Sequence, residues 1–380
     1  LQKDFLRRDW PLLVACCMPV RHFSELDRRA REAFDPDSLL ALAELHGVTA
    51  QLAAAWSDLS DQSLVPSFRD KLRVYHRHQA VSTIALTAEL FRILEFFGSA
   101  HIEAAVVKGP VLSVRAFGDP AARHFADVDL LLRHSDVQRA SQIVTGAGFV
   151  PRVSLSDMQA GKTPGQYFFR RGQSVIELHT ERTLRYFPRP LPIEEFFRRK
   201  TSVTLDGRRI PALAVEDEFV LISIHGAKHF WERLMWVSDI AATVHRHPDL
   251  DWNRIRQSAA SVGAARMVRL ALLLAERVLR VSVPGEMKRE VADDAACLSM
   301  VKKIESWLPY AGYDPLSLGE RALFRLRMRG HLLAGAAYLT RLSLATTEED
   351  WNPQSAAASL GETLRRPFRL ARKYRKPSFK

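Results

Sequence analysis

Arg123-His-Phe-Ala-Asp-Val-Asp-Leu-Leu-Leu132 is the stretch on which the fold turns. Its apolar end predicts a strand over Asp127 to Leu132. On a strand, Asp127 and Asp129 are two residues apart, so both carboxylates project from one face while Val128 points into a core. Two acids about 6–7 Å apart along a strand repel each other unless a cation sits between them. Mg²⁺, which prefers carboxylate, phosphate and water oxygens, suits such a pair. An Asp-x-Asp alone decides little, because many such pairs are strand acids facing solvent. Its neighbours carry the argument.

Upstream, Ala104-Ala-Val-Val107 reads as a short strand running into Lys108-Gly109-Pro110 and a helix over Val111 to Phe117, broken by Gly118-Asp119-Pro120. A glycine turn at a helix N-terminus presents backbone N–H groups to phosphate oxygens. Proline costs nothing in the first helical turn, where its missing N–H has no acceptor. Downstream, a helix is predicted over Ser135 to Ala147, capped by Ser135 and closed near Gly148. Tyr167 to Arg170 and Ser174 to Thr180 then predict a strand pair, turning at Arg171-Gly172-Gln173. On the second strand Val175, Glu177 and His179 share a face, opposite Ile176 and Leu178. Glu177 thereby adds a third carboxylate. A further hairpin is expected within residues 201–215, around Asp206-Gly207.

The flanks are helical. Ser38 to His46 and His76 to Phe97 carry apolar residues at helical spacing, with Asp35-Pro-Asp-Ser38 as a helix start and Ser60 to Pro66 as a loop. After the core, helices are predicted over Glu216 to Ala227, Trp231 to His245, Asp251 to Ala260 and Ala264 to Leu279, with further helix to about Ala345. The expected class is α+β: a small mixed sheet with helices, flanked by N- and C-terminal helical regions. The boundaries drawn are 1–100 for the N-terminal helical region, 101–214 for the core, 215–364 for the C-terminal helical domain and 365–380 for a basic tail.

Composition narrows the class further. Hydrophobic residues at 47% and charged residues at 26% fit a globular chain rather than a disordered one. No run approaches the ~20 uninterrupted apolar residues of a membrane span; the best, Met267 to Leu279, is broken by Arg269, Glu276 and Arg277. The opening Leu-Gln-Lys-Asp lacks the order of a signal peptide, so a cytoplasmic location is expected; its lack of Met suggests trimming and says nothing about targeting. Cys16, Cys17 and Cys297 form neither a disulfide framework nor a metal knuckle, and are read as buried thiols. Eight of the twelve net positive charges lie between Arg365 and Lys380, a stretch without acids. That tail suits nucleic acid, an anionic surface or an acidic partner, or simply water.

The order of strand, glycine turn, helix, Asp-x-Asp strand, helix and a strand with a third acid resembles the polymerase-beta-like nucleotidyltransferase superfamily. More narrowly, Val107-Lys-Gly109, Arg123 to Leu132 and Glu177-Leu-His179 resemble an uncharacterised bacterial nucleotidyltransferase family whose turn is Lys-Gly. His225-Gly-Ala-Lys-His229, Trp236-Val-Ser-Asp-Ile240 and Asp251-Trp252 follow the succession of that family. The resemblance runs over roughly residues 85 to 375. The superfamily's usual turn is Gly-Gly or Gly-Ser; here Lys108 stands where a serine hydroxyl would touch the triphosphate. The third acid is Glu where Asp is common.

The resemblance implies a fold with a polymerase-beta-like core and an enzyme that transfers a nucleoside monophosphate, most simply AMP from ATP. The acceptor would be a hydroxyl of a small molecule, sugar, peptide or protein, with pyrophosphate released. Asp127, Asp129 and Glu177 would hold two Mg²⁺ ions, or Mn²⁺ in their place. Lys108, Gly109 and Arg123 would meet the nucleotide's phosphates, though Arg123 fits an ion pair with a surface acid equally well. Two other readings are a metal-dependent phosphotransferase on the same fold and a non-catalytic nucleotide- or nucleic-acid-binding module; binding of nucleic acid through the tail is the less favoured. His179 fits a strand histidine hydrogen-bonded inside the fold better than a catalyst. His225 and His229, four apart, have metal-like spacing but lack the His-Glu-x-x-His signature. With Lys228 they are read as facing the cleft or packing on the helix surface. Asp239 could orient one of them, or act as a cap or ion pair.

Overall fold

Short apolar strands bounded by turn residues organise the middle of the chain. The computed structural model describes residues 2–32, 34–59, 65–156, 165–184, 187, 189–310, 316–330 and 332–344. Five helices come first: α1 (Gln2–Cys16), α2 (Phe23–Arg31), α3 (Pro36–His46), α4 (Thr49–Ser57) and α5 (Pro66–Ser99). Strand β1 (Ala104–Val107), helix α6 (Gly109–Phe117), strand β2 (Val128–Leu132) and helix α7 (Val137–Gly146) follow. The remaining strands are β3 (Val150–Pro151), β4 (Gln166–Arg171), β5 (Ser174–His179), β6 (Thr201–Leu205) and β7 (Arg208–Ala212), with helix α8 (Ile193–Arg198) before β6. Helices then resume as α9 (Val215–Lys228), α10 (Leu234–Arg246), α11 (Trp252–Ser261), α12 (Ala265–Leu279), α13 (Gly285–Ala292), α14 (Ala295–Trp307), α15 (Leu318–Arg327) and α16 (Leu332–Leu344).

The strands form one mixed sheet in the order β3-β4-β5-β2-β1-β7-β6. Neighbours β1 and β2 run antiparallel, while β2–β5 and β1–β7 are parallel. The register sets Asp129 beside Val107 on one side and beside Glu177 on the other. Because side chains alternate across a strand, Val128, Leu130 and Leu132 fall on one face with Ile176 and Leu178. There they pack under the second half of α5 (Leu86, Leu90, Ile93, Phe97) and α7. On the other face Ala105, Val107 and Leu131 join a larger core with α6, the N-terminal helices and the C-terminal helices. The acids belong to this second face, where helices of both flanks meet, while the second half of α5 covers the first. Helix α5, about 50 Å long at 1.5 Å per residue, contributes Phe68 and Leu72 to one core and Leu90 and Ile93 to the other.

Local chemistry explains most boundaries. Asp35 caps α3, accepting from the N–H groups of Asp37 and Ser38, and Gly47 closes it with φ 68°. Asp206 and Gly207, both with positive φ, turn β6 into β7. Three expectations need correction. The central strand begins at Val128, leaving Asp127 in the bend before it. Ser135 lies inside a 3₁₀ turn, His134–Asp136, and α7 starts at Val137 with no side-chain cap. Helix α10 begins at Leu234 rather than Trp231, because Phe230 and Trp231 both have left-handed backbone (φ 59° and 55°) and end the previous helix's path. The loop expected from Ser60 and the basic tail from Arg365 fall largely or wholly outside the described residues. Among the described residues no helix is long and apolar enough to cross a membrane. All three thiols are buried, with those of Cys16 and Cys297 pushed up to about 12 chiefly by that burial, so they are unreactive.

Candidate active site

The β1–α6 turn is unusual because a lysine occupies backbone space that favours glycine. Lys108 has φ 62° and ψ −140°, a strained conformation for a residue with a Cβ. Two interactions offset the strain. Its N–H donates to Glu218 Oε1 of α9 at 3.2 Å, and its ammonium lies 2.8 Å from Asp129 Oδ2 on β2. Glu218 is buried and also accepts from Arg115 of α6 at 2.8 Å. A helix of the C-terminal flank thereby holds the turn of the sheet.

Asp129 is the centre of the cluster. Its Oδ1 is 2.6 Å from His179 Nε2, which also lies 3.4 Å from Glu177 Oε2. Gln166 on β4 donates to Glu177 Oε2 at 2.6 Å. Donor atoms of Asp129, Glu177 and His179 all lie within 4.8 Å of one another, a grouping able to hold a metal ion. Burial alone would raise the pKa of Asp129, but the Lys108 charge and the His179 hydrogen bond outweigh it and hold the carboxyl well below its ordinary range. Burial would likewise lower His179, yet its hydrogen bonds to Asp129 and Glu177 push it up to about 9. Between these two carboxylates the His179 ring favours its protonated form, which donates to Asp129; a cation bound there would instead require the neutral ring. Asp127 moves the other way: burial and the nearby charge of Asp129 raise it to about 6. A carboxyl whose ionisation is opposed by its neighbour's charge is what a divalent cation would relieve, and hard oxygen donors suit such an ion. On the chemistry of the donors, a divalent metal fits.

The other expected residues divide. Gly109 opens α6 with φ 50°, and a Cβ there would approach the Asp127 carbonyl at 3.9 Å, so the turn and the acidic stretch are neighbours. Arg123 points away from open space: its Nε donates to Asp239 Oδ1 at 2.7 Å, and both groups are buried. Of the two readings of Asp239, orienting a histidine or forming an ion pair, it is the ion pair with Arg123 that forms. His225 and His229 sit with ring centroids 4.7 Å apart and pack against Trp236 of α10. Burial, then the charge of Lys108 and other cations, holds His225 well below its ordinary pKa; burial and Lys228 bring His229 to about 3. Lys228, at the end of α9, is exposed. Two cavities of about 340 and 410 Å³ lie elsewhere, one under Trp56 and Arg69, the other beside Phe91 and Arg208. Neither is lined by Lys108, Asp129 or Glu177, and volume without convergent reactive groups does not make a catalytic site.

Sequence reasoning missed Glu218, Gln166 and the joining role of Trp236. Glu218 was hidden among Glu216-Asp217-Glu218, acids that a helix N-terminus favours for its dipole. Gln166 was one residue outside the strand expected from Tyr167.

A family model described as an uncharacterised nucleotidyltransferase matches residues 32–280, more than half of the chain. It starts upstream of the region read from motifs alone, taking in α3 to α5, and stops at the end of α12. No curated protein matches the chain. Among solved structures, the solution structure of the antibiotic-resistance factor ANT(2'')-Ia is 12% identical with a TM-score of 0.34, over 47% of this chain and 91% of that one. A crystal structure of an antigenic nucleotidyltransferase-like protein from Paracoccidioides brasiliensis is 15% identical with a TM-score of 0.30, over 54% and 93%. At those scores neither likeness bears on activity.

Proposed function

Because the chain belongs to the uncharacterised nucleotidyltransferase family, we propose that it transfers a nucleoside monophosphate, AMP from ATP in the simplest case, to an acceptor hydroxyl. The observation that carries this reading is the convergence of Asp129, Glu177 and His179 with the Lys108 ammonium at the end of a sheet, beside a helix N-terminus. Phosphates meet α6 through N–H groups that have no acceptor within the helix. The N–H of Lys108 is already given to Glu218, so those of Gly109 and Val111 remain for phosphate oxygens. The Lys108 side chain, a compact charge on a flexible stem, exchanges Asp129 for a phosphate oxygen when nucleotide arrives.

Asp127, Asp129 and Glu177 would hold Mg²⁺, with Mn²⁺ as its substitute. Held there, such ions would supply positive charge to the triphosphate and would make an acceptor hydroxyl more acidic. His179 fixes the orientation of Asp129, and Gln166 that of Glu177. Arg123 acts from behind: anchored on Asp239, it adds positive field to the acids without touching phosphate. The acceptor hydroxyl gives its proton to water, its oxygen forms a bond to the α-phosphorus, the bond from that phosphorus to the bridging oxygen breaks, and pyrophosphate leaves.

The test is label transfer with Mg²⁺ and ATP labelled at the α- or the γ-phosphate. Incorporation of α-label with release of pyrophosphate is expected. Asp129→Asn should reduce it by about 10³-fold or more, in line with losing a preorganised electrostatic group, while the protein still melts cooperatively. Incorporation of γ-label in place of α would replace this reading with a phosphotransferase. Full turnover by Asp127→Asn combined with Asp129→Asn would discard both.

A further inference from the structure

We propose that the face shared by α9 and α10, formed by His225, His229 and Trp236, is the seat of the nucleotide's base. The inference rests on the nucleotidyl-transfer reading and names the part of the protein that would choose the nucleotide.

Helical spacing brings the two imidazoles together. His225 and His229 are four residues apart on α9, their centroids 4.7 Å from one another. Trp236 comes from the first turn of the next helix, with its ring 5.1 Å from His229 at 31° and 5.6 Å from His225 at 83°. Gly226 permits this approach of the two helices: a Cβ there would lie 2.5 Å from the Trp231 ring, which is fully buried in the turn between them. All three clustered rings are half-buried rather than sealed in the core. Nothing among the described residues hydrogen-bonds the ring nitrogens of His225 or His229, and those nitrogens are not among the atoms shut off from solvent. His46 differs in part: its Nδ1 accepts from the Leu234 N–H, while its Nε2 is shut off from solvent without a partner.

The charges around the rings narrow the ligand. Burial and the cations Lys108, Lys228 and Arg123 keep His225 neutral; Lys228, Lys108, Arg233 and Arg325 act on His229. A metal cation on the His pair would enter this positive field, and the group of three donors found among the described residues includes neither histidine. A cationic acceptor is disfavoured for the same reason. A nucleotide satisfies both halves of the surface at once, placing an aromatic ring on the imidazole and indole faces and negative charge among the lysines. Each neutral imidazole also presents one donor and one acceptor to a base edge. Lys108 connects the two parts, being near enough to influence both imidazoles while paired with Asp129 at 2.8 Å.

Equilibrium binding on the full chain tests this, using α,β-methylene-ATP with Mg²⁺, and tripolyphosphate as the probe without a base. Wild-type protein should bind the nucleotide at least about tenfold more tightly than tripolyphosphate, since stacking of one base on aromatic side chains is worth roughly that factor or more. His229→Leu and Trp236→Leu should lose about tenfold for the nucleotide and keep their affinity for tripolyphosphate. His229→Phe, which keeps a ring and drops the nitrogens, should lie between Leu and wild type. Equal wild-type affinity for both probes overturns the base seat and needs no variant. Leu variants that bind the nucleotide as wild type does, or lose both probes equally, overturn it too. Wild-type protein that binds neither probe removes the transfer reading itself, and the base seat with it.

Discussion

Two buried ion pairs stand at the same end of the molecule and are built for different work. Lys108–Asp129 lies on the sheet side, and Asp129 has a second donor in His179 on its other oxygen. Arg123–Asp239 lies on the helix side, with Arg123 5% and Asp239 3% exposed. The lysine is a flexible point charge, still 17% exposed along its side chain, that can leave Asp129 without stripping it of every partner. The guanidinium is enclosed, and its N–H from the backbone is also fixed, donating to Ser113 Oγ at 3.1 Å. A pair that must open during a reaction cycle needs an exposed, replaceable cation. A pair that only positions needs the opposite.

The sharpest way to break this comparison is to delete each cation while keeping its bulk. Arg123→Met leaves Asp239 as an uncompensated buried charge between α10 and α6, and removing one member of such a pair typically costs about 3–5 kcal/mol. Urea denaturation should show that loss even with nucleotide absent. Lys108→Met should cost less than half as much stability, because His179 still satisfies Asp129, but should weaken tripolyphosphate binding by about tenfold or more, the scale of one buried charge-assisted contact. If the two variants lose equal stability, Lys108–Asp129 is a structural pair like the other and the account of a displaceable lysine fails.

How much of this was open to a reader of the sequence depends on the length scale of the interaction. Alternation within Ser174–His179 and the apolar run ending at Leu132 made the strands and their shared face legible, since period-two patterning is local. The neighbouring placement of Lys108, Asp129 and Glu177 was reached only through the order of motifs. The contacts that join distant elements at the site were not legible. Glu218 lies 110 positions from the turn it holds, and Arg123 is 116 positions from Asp239. Nothing in their spacing predicts either contact. The bend that leaves Asp127 outside β2 was also hidden, because a strand's first residue is fixed by hydrogen-bond pairing with β1 and β5, not by its side chain.

The helix side depends on close packing where the sheet side depends on charge, and a smaller substitution can expose that difference. In Gly226→Ala the new methyl would overlap the Trp231 ring, with its Cβ 2.5 Å from Cζ3. Overpacking of this kind costs about 3 kcal/mol at its upper range, from which alanine's better helix propensity returns about 1. A net loss of about 2 kcal/mol is expected in thermal or urea denaturation. The circular dichroism of the indole region should change with it, since Trp231 is displaced. Unchanged stability would mean that the turn into α10 yields easily, and would remove the argument that it fixes Trp236 beside the histidines.

The two sides also hold their histidines in opposite charge states, and that predicts opposite responses to acid. His179 is raised to about 9, so it contributes stability fully present below its unfolded pKa of about 6.5 and lost as pH rises through 9. His46, which accepts the N–H of Leu234 and so anchors the start of α10, is lowered by burial to about 3. Its neutral form is the folded one: that stability is present above pH 6.5 and drains away as pH falls toward 3, at about 1.4 kcal/mol per unit. His46→Asn keeps an acceptor for Leu234 in its side-chain carbonyl and cannot be protonated in this range. Unfolding free energies from urea denaturation between pH 7 and pH 5 should therefore fall less steeply for His46→Asn than for wild type, by about 1.4 kcal/mol per unit below pH 6.5. Parallel slopes for the two proteins would show that acid acts first on the sheet-side carboxylates, and that burial of neutral imidazole is not what ties the N-terminal helices to α10.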